Sequence, residues 1–159
     1  MLASAALASH SARRMRANRA RSSGRCARCA VRQEHCICAH LAQPIVHVAE
    51  VVIIRHAHEQ WRPTNTARLA ATALAHARVH EYGALDTAPL DCAALVASLP
   101  APVWLLYPTA ADDLLPPVPV GAPPPGGLVV LDGTWSQTQR LVRRHPALAA
   151  LPRDRKSVV

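Results

Sequence analysis

The chain has 159 residues, of which 50% are hydrophobic, and it carries a formal net charge of +8 at pH 7. This length suits one globular domain with its own core, and the hydrophobic content excludes a wholly disordered protein. No uninterrupted run of 18 or more apolar residues occurs, so the sequence predicts no membrane span.

The positive charge is concentrated near the N-terminus. Eight of the 18 Lys and Arg residues precede Gln33, whereas the first acidic residue is Glu34. Residues 1–21 are rich in Ala, Ser and Arg, which resembles a transit peptide in composition, but they lack the layout of a secretory signal. Met15 is a second candidate start. We interpret residues 1–21 as a basic, disordered extension that either contacts a polyanion such as RNA or is simply solvated. We expect the protein in the cytoplasm.

Four of the five cysteines form a cluster at Cys26, Cys29, Cys36 and Cys38. Thiolates at such close spacing can hold a structural zinc ion, which stabilises a segment too short to have its own core. We therefore predict a zinc-binding segment over residues 22–43. A disulfide pair and an iron-sulfur cluster are the competing interpretations, and His35 or His40 is an alternative fourth ligand. Cys92, in an apolar stretch, is interpreted as a small buried hydrophobic residue.

The first predicted strand covers Gln43–Ile54, which is rich in Val and Ile. His56 and Glu59 follow at its carboxyl end, where ligands bind in open α/β sheets. Two titratable groups at that position have no evident packing role, so we predict a functional one.

A helix is predicted next, over residues 67–77, with Arg68 in its first turn. Thr64, Asn65 and Thr66 precede it and offer an N-cap. Asn65 and Thr66 therefore either cap this helix or bind a ligand.

The remaining elements repeat the order of strand, polar loop and helix. A strand is predicted over Val103–Tyr107, followed by a Pro-rich loop over residues 109–127 that either closes over a ligand or only connects. The strand Leu128–Leu131 ends at Asp132 and leads into a basic helix with Arg140, Arg143 and Arg144. Strands alternating with helices predict an α/β fold with a mostly parallel sheet and crossover helices.

Four ordered stretches resemble one known family. They are Cys26 to Cys38, His56 to Leu69, the tetrad Asp132, Gly133, Thr134 and Trp135, and His145 to Arg153. Together they resemble the DTW domain, whose name is the pattern Asp-x-Thr-Trp. The chain departs from the family at Ala57, where proline is usual.

The resemblance implies a fold and an activity. Characterised members of the family are tRNA-uridine aminocarboxypropyltransferases, which use S-adenosylmethionine and are related in fold to the SPOUT methyltransferases, including a knotted carboxyl-terminal segment. We therefore expect a SPOUT-like catalytic domain over residues 44–153 that modifies tRNA, with no obligate protein partner evident.

The resemblance also suggests roles for individual residues. Asp132 is the predicted general base for uridine N3, with electrostatic stabilisation as its alternative role. Trp135 either stacks on a base or packs as a scaffold. For S-adenosylmethionine we expect contacts from Thr134, Trp135, Tyr107, Pro108 and Leu131. For the tRNA substrate we expect contacts from His56, Glu59, Asn65, Thr66, Arg68 and Arg140.

Two other functions and one anomaly accompany this prediction. The alternatives are an S-adenosylmethionine-dependent RNA methyltransferase and a non-catalytic zinc-containing RNA-binding module. Family members continue beyond residue 153, whereas residues 154–159 of this chain match the translation of a common sequencing adapter. We therefore expect residues 154–159 to be non-native, the catalytic domain to be incomplete, and S-adenosylmethionine to bind weakly or not at all.

Overall fold

The computed structural model describes residues 24–41, 43–62, 65–84, 89–107 and 121–153. Four strands form one sheet: β1 (Glu50–His56), β2 (Ala77–Tyr82), β3 (Val103–Leu106) and β4 (Gly127–Asp132). Their order in the sheet is β2-β1-β4-β3, and every neighbouring pair is parallel. The predicted α/β fold with a parallel sheet is confirmed.

Helices connect and follow these strands, as parallel neighbours require. The helices are α1 (Thr66–Ala73), α2 (Cys92–Ala97), α3 (Trp135–Arg144) and α4 (Pro146–Ala149), and short 3-10 turns occur at Gln33–His35 and Glu59–Trp61. Among the described residues, no helix has both the length and the apolar character to cross a membrane.

Alternate residues of the strands build two apolar layers, one on each face of the sheet. Val51 and Ile53 of β1 pack with Ala67 of α1 on one face. On the other face, Val52 and Ile54 belong to a larger cluster to which α2, α3 and α4 contribute Cys92, Leu141 and Leu148. Cys92 is 1% exposed, which agrees with its prediction as a buried hydrophobic residue.

The strand predicted over Gln43–Ile54 is wrong in its first half. Continuous pairing in the sheet begins only at Glu50, since Ile45 makes a single isolated bridge to Leu74. Ile45, Val46 and Val48 are 63%, 80% and 88% exposed. A Val-rich composition alone does not make a strand, because pairing requires a neighbouring strand in register.

The helix predicted over residues 67–77 is too long at its C-terminal end. Leu74 is already extended, with φ −103° and ψ 131°, and Ala77 begins β2. The strand β2 was not predicted, because its sequence, ARVHEY, has neither an apolar run nor a regular apolar alternation.

Several predictions fall outside the described residues. They concern the extension 1–21, Thr64, Pro108, the Pro-rich segment up to residue 120 and the tail 154–159.

Candidate functional site

The carboxyl ends of the four parallel strands share one edge of the sheet, where ligands bind in this class of fold. Side-chain alternation divides that edge into two sides. Arg55, Glu81 and Asp132 lie on the α1 side, whereas His56 and Tyr82 lie on the side of α2, α3 and α4.

A chain of polar contacts occupies the α1 side. Arg55 is the register partner of Glu81 in β2 and of Asp132 in β4. Its Nη2 lies 2.6 Å from Glu81 Oε1, and its Nη1 donates to Asn65 Oδ1 at 3.3 Å. Asn65 Nδ2 in turn donates to Asp132 Oδ2. These polar contacts thus join β2, β1, α1 and β4.

Asn65 has its amide fixed in one orientation by these contacts. Its Oδ1 accepts from Arg55 and from the backbone N–H of Arg68, so its Nδ2 is directed toward Asp132. Arg55 and Asn65 are only 7% and 6% exposed. Asp132 is therefore held by a neutral donor that is itself locked in place.

Asp132 retains one open oxygen. The residue is half-buried, and within the described part of the chain only its Oδ2 accepts a hydrogen bond. The second carboxylate oxygen can accept a proton from a ligand at the edge of the sheet.

Sequence reasoning missed Arg55 and Glu81. Arg55 did carry a signal, since it is the charged residue that ends the apolar run Val51–Ile54. Glu81 carried none, because β2 itself was not predicted.

The opposite side of the edge contains a cavity of about 370 Å³. Its polar lining comes from His56, Gln137, Arg140, Arg144 and His145, and its other walls from Tyr82, Gly83, Pro89, Leu90 and Leu141. His56 and Arg140, both predicted substrate contacts, are thus brought together. The two are 84 positions apart in the sequence, and β1 and α3 bring them to one cavity.

Gly83 allows the backbone after β2 to approach the ring of His56 closely. Its φ is +78°, and a Cβ there would lie 2.9 Å from His56 Nε2. The ring of His56 also lies edge-on to those of Tyr82 and His58, each with centroids 5.0 Å apart. A side chain at position 83 would strain the backbone and force the His56 ring to shift.

Burial shifts the pKa values of His56 and Tyr82. Burial, and next the neighbouring His58, lowers the pKa of His56. Burial, and next the charge of Asp132, raises the pKa of Tyr82 to about 12, while Arg140 acts in the opposite direction. Tyr82 therefore lies within the electrostatic reach of both sides of the edge.

Trp135 and Tyr107 form an aromatic pair farther along the edge. Their rings are stacked, with centroids 5.4 Å apart and planes at 8°. Tyr107 is 7% exposed but Trp135 is 56% exposed, and the Arg153 guanidinium lies 5.4 Å from the Tyr107 centroid. Trp135 is therefore a surface ring supported by a buried one and not a core residue.

The other predicted site residues are more scattered. Glu59 is buried and pairs with Arg62 at 3.0 Å, and Arg68 donates to the Gln60 carbonyl at 2.7 Å. Leu131 is half-buried, Thr66 is exposed, and Thr134 is exposed at the N-cap of α3. The structure thus gives Arg68 a structural contact and joins Asn65 to Asp132.

The four clustered cysteines converge on one point. Their Sγ atoms all lie within 4.8 Å of one another, with Cys26 and Cys38 at 3.6 Å and Cys29 and Cys36 at 3.9 Å. A tetrahedral ion with metal–sulfur bonds of about 2.3 Å separates its sulfurs by roughly 3.8 Å, whereas a disulfide needs about 2.05 Å. All four thiols are free, so the cluster could hold a metal ion and is consistent with zinc.

The backbone supports the same arrangement. Ala30 adopts φ 59°, its N–H bonds the Cys26 carbonyl at 2.8 Å, and the Cys26 N–H bonds the Val31 carbonyl at 2.9 Å. The N–H groups of Cys29 and then Arg28 lower the pKa of Cys26 to about 6. His35 and His40 lie outside the converging group, and His35 faces Glu34 at 3.7 Å.

Comparison with known proteins identifies the family. No solved structure matches the chain. The model of the DTW domain matches residues 23–155, a span that includes the cysteine cluster and the whole sheet, and this match is consistent with a tRNA-modifying enzyme. The chain therefore belongs to the DTW-domain family.

Proposed function

We propose that this protein transfers the 3-amino-3-carboxypropyl group of S-adenosylmethionine to N3 of a uridine in tRNA. Membership of the DTW-domain family supports an activity on tRNA. The observation that carries the proposal is the placement of Asp132, which Asn65 holds through Oδ2 at the carboxyl edge of the sheet, while no described residue donates to its other oxygen.

The reaction needs a base for one proton. Uridine N3 bears a hydrogen, which passes to the open oxygen of Asp132 as N3 bonds to the γ-carbon of the methionine moiety. The bond from that carbon to the sulfonium breaks, its electron pair stays on sulfur, and methylthioadenosine leaves. Asn65 donates to the carboxylate before the transfer and orients it toward N3.

Positioning decides which carbon reacts. The sulfonium activates three attached carbons, so the site must align N3 with the γ-carbon and keep it from the methyl group. The exposed face of Trp135, supported by Tyr107, offers a flat apolar surface for a nucleobase or the adenine of the donor. Thr134 and Leu131, on either side of Asp132 in β4 and its turn, complete the proposed donor contacts.

The metal in the cysteine cluster is proposed to be zinc with a structural role. It would hold Cys26, Cys29, Cys36 and Cys38 and supply folding free energy to a segment in which Cys29 is the one fully buried side chain among the described residues. We also propose that the protein acts in the cytoplasm.

The position of an isotopic label in the product tests the proposal. The protein is incubated with bulk tRNA and S-adenosylmethionine labelled either in the carboxyl group or in the methyl group. Because S-adenosylmethionine is expected to bind this chain weakly, the donor is supplied at high concentration and its binding is measured in parallel. We expect the carboxyl label in tRNA, no methyl label there, and release of methylthioadenosine. Methyl label in tRNA with S-adenosylhomocysteine would establish a methyltransferase instead, and a chain that binds both tRNA and the donor without consuming the donor would contradict an enzymatic function.

The isosteric substitution Asp132→Asn tests whether Asp132 is the base. The variant keeps the shape and an oxygen that can accept from Asn65, but it cannot take the proton. Turnover should fall by about 100-fold or more while the affinity for S-adenosylmethionine stays nearly constant. A turnover equal to that of the wild type would rule out Asp132 as the base.

A further inference from the structure

The cavity between β2 and α3 lies on the other side of the sheet edge from Asp132. Its volume of about 370 Å³ is at the lower end of the range for small-molecule sites, about 300–1,000 Å³. It is larger than a small inorganic anion alone would fill. The size suits a single nucleotide.

The cavity is positively charged. Arg140 and Arg144 are four residues apart on α3, and both line it. Like charges at this spacing repel and destabilise a helix. Within the described part of the chain neither arginine has an ion-pair partner, and no carboxylate lines the cavity. An anion between the two guanidinium groups would relieve that repulsion.

The helix dipole does not account for this arrangement. Basic residues in the last turn are favourable to a helix, which suffices for Arg143 and Arg144. It does not explain Arg140, one turn earlier, or why Arg140 and Arg144 line the cavity while Arg143 does not.

The remaining walls suit a nucleoside. Leu90 and Leu141 are apolar, and the rings of His56 and Tyr82 lie beside them. The Tyr82 hydroxyl is buried and has no hydrogen-bond partner among the described residues, so it can donate to a ligand or accept from one.

We propose that this cavity is a subsite for one nucleotide of the RNA substrate, whose phosphate lies between Arg140 and Arg144 and whose nucleoside lies against Tyr82, His56 and Leu90. The inference rests on the proposed function only in taking RNA as the substrate. A Cβ at Gly133, the residue after Asp132, would lie 3.4 Å from the Cβ of His56, which lines the cavity. The subsite therefore adjoins the proposed base, and its nucleotide is a neighbour of the modified uridine.

Chemical protection of the wild-type protein tests the subsite without any variant. The full chain is treated with phenylglyoxal, which modifies arginines, with and without bulk tRNA, and the modified positions are located by tandem mass spectrometry. We expect tRNA to protect Arg140 and Arg144 at least tenfold more than Arg143, their neighbour on the same helix. Equal protection of the three residues, or none, would overturn the subsite.

Free ligands distinguish the source of the phosphate. Uridine 5′-monophosphate should protect the same two arginines only at concentrations far above those of tRNA, and inorganic phosphate should protect less still. If uridine 5′-monophosphate protects fully at concentrations where tRNA has no effect, the site takes a free nucleotide and the assignment to RNA is wrong.

Substitutions provide an independent measurement. Arg140→Gln and Arg144→Gln should each weaken tRNA binding and reduce the slope of log affinity against log salt by about 0.7–0.9, the value for one neutralised phosphate. Arg143→Gln is the matched control and should leave the slope nearly unchanged. Equal slopes in all three variants would contradict the subsite.

These binding measurements need no S-adenosylmethionine. If the labelling experiment shows no aminocarboxypropyl transfer while Arg140 and Arg144 are still protected, the proposed reaction fails and the subsite stands. If transfer occurs without selective protection, the subsite fails and the reaction stands.

Discussion

Asn65 performs two tasks that the sequence presents as alternatives. From the sequence, capping of a helix and a functional contact compete for this side chain. The structure assigns both, because an amide has an acceptor and a donor on different atoms. Its Oδ1 caps α1 and accepts from Arg55, and its Nδ2 holds Asp132.

Loss of this side chain should therefore cost more than loss of an ordinary cap. Asn65→Ala removes the cap, worth about 0.5–2 kcal/mol, and also leaves the buried Arg55 without one partner, a cost of about 1–3 kcal/mol. Urea unfolding should show a decrease of roughly 1.5–5 kcal/mol in the free energy of unfolding, the sum of these two terms.

Asp91→Ala is the matched control for that experiment. Asp91 caps α2 by accepting from the Ala94 N–H at 2.9 Å, and its exposed side chain makes no other hydrogen bond or ion pair with the described residues. Its removal should cost about 1 kcal/mol. Equal losses in the two variants would show that the contacts to Arg55 and Asp132 contribute nothing to stability.

Tyr82 gives a prediction about alkaline pH. Its pKa of about 12 lies above the value of about 10 expected in the unfolded chain. Between pH 10 and 12 the unfolded chain loses the phenolic proton while the folded protein keeps it, so ionisation favours unfolding there. The stabilisation is complete below pH 10 and is lost as the pH rises to 12. The loss should be on the order of 1 kcal/mol, because solvent screens a half-buried ring.

Tyr82→Phe should abolish that decline. Because the hydroxyl has no hydrogen-bond partner among the described residues, stability at pH 7 should change by less than about 0.5 kcal/mol. Tyr107→Phe, which alters the only other tyrosine, serves as the control. If the decline persists in Tyr82→Phe and disappears in Tyr107→Phe, Tyr107 is the tyrosine responsible for it.

At the scale of elements, the cysteine segment depends on four side chains rather than on a core. Among its described residues, only Cys29 is buried, and the rest are exposed or half-buried. Local backbone hydrogen bonds connect the segment, but they do not bury apolar area, so we expect a bound metal to contribute the missing free energy.

Metal analysis of the purified protein should therefore find about one zinc ion per chain. Cys26→Ser or Cys38→Ser should release the ion and make residues 24–41 sensitive to proteolysis. Cys92→Ala is the control, since it removes a thiol from the core and should keep the zinc. A protein that is metal-free and equally protease-resistant would eliminate the site.

The elements also show what sequence could and could not predict. β4 and the second half of β1 are predictable because their apolar runs pack against the apolar layers on both faces of a parallel sheet. β2 is an edge strand with polar residues, and its pairing with β1 depends on a partner distant in sequence. The polar contacts from Glu81 through Arg55 to Asp132 exist only in that strand register. No local sequence pattern therefore indicates these contacts. The cysteine cluster, by contrast, lies within one short segment, and its spacing alone indicated the site.

At the scale of the whole molecule, the excess of basic residues lies far along the sequence from Asp132, the proposed base. Residues 1–21 carry five arginines and no acidic residue, whereas from Gln33 onward basic and acidic residues balance. Interactions of such an extension with phosphate would be independent of sequence and sensitive to salt. The cavity arginines and Asp132 would instead act on particular nucleotides.

Removal of residues 1–21 should consequently weaken binding without altering chemistry. The affinity for all tRNA species should fall together, and the slope of log affinity against log salt should decrease by about 0.7–0.9 for each phosphate that the extension neutralises. Turnover at saturating tRNA and zinc content should stay constant, because Asp132 and the four cysteines lie in the folded domain.

Replacing the five arginines by glutamine in the full chain separates charge from length. If the slope decreases equally in both variants, charge is the cause. If it decreases in neither, the extension is only solvated and the folded domain alone binds tRNA, with Arg140 and Arg144 first among its phosphate ligands.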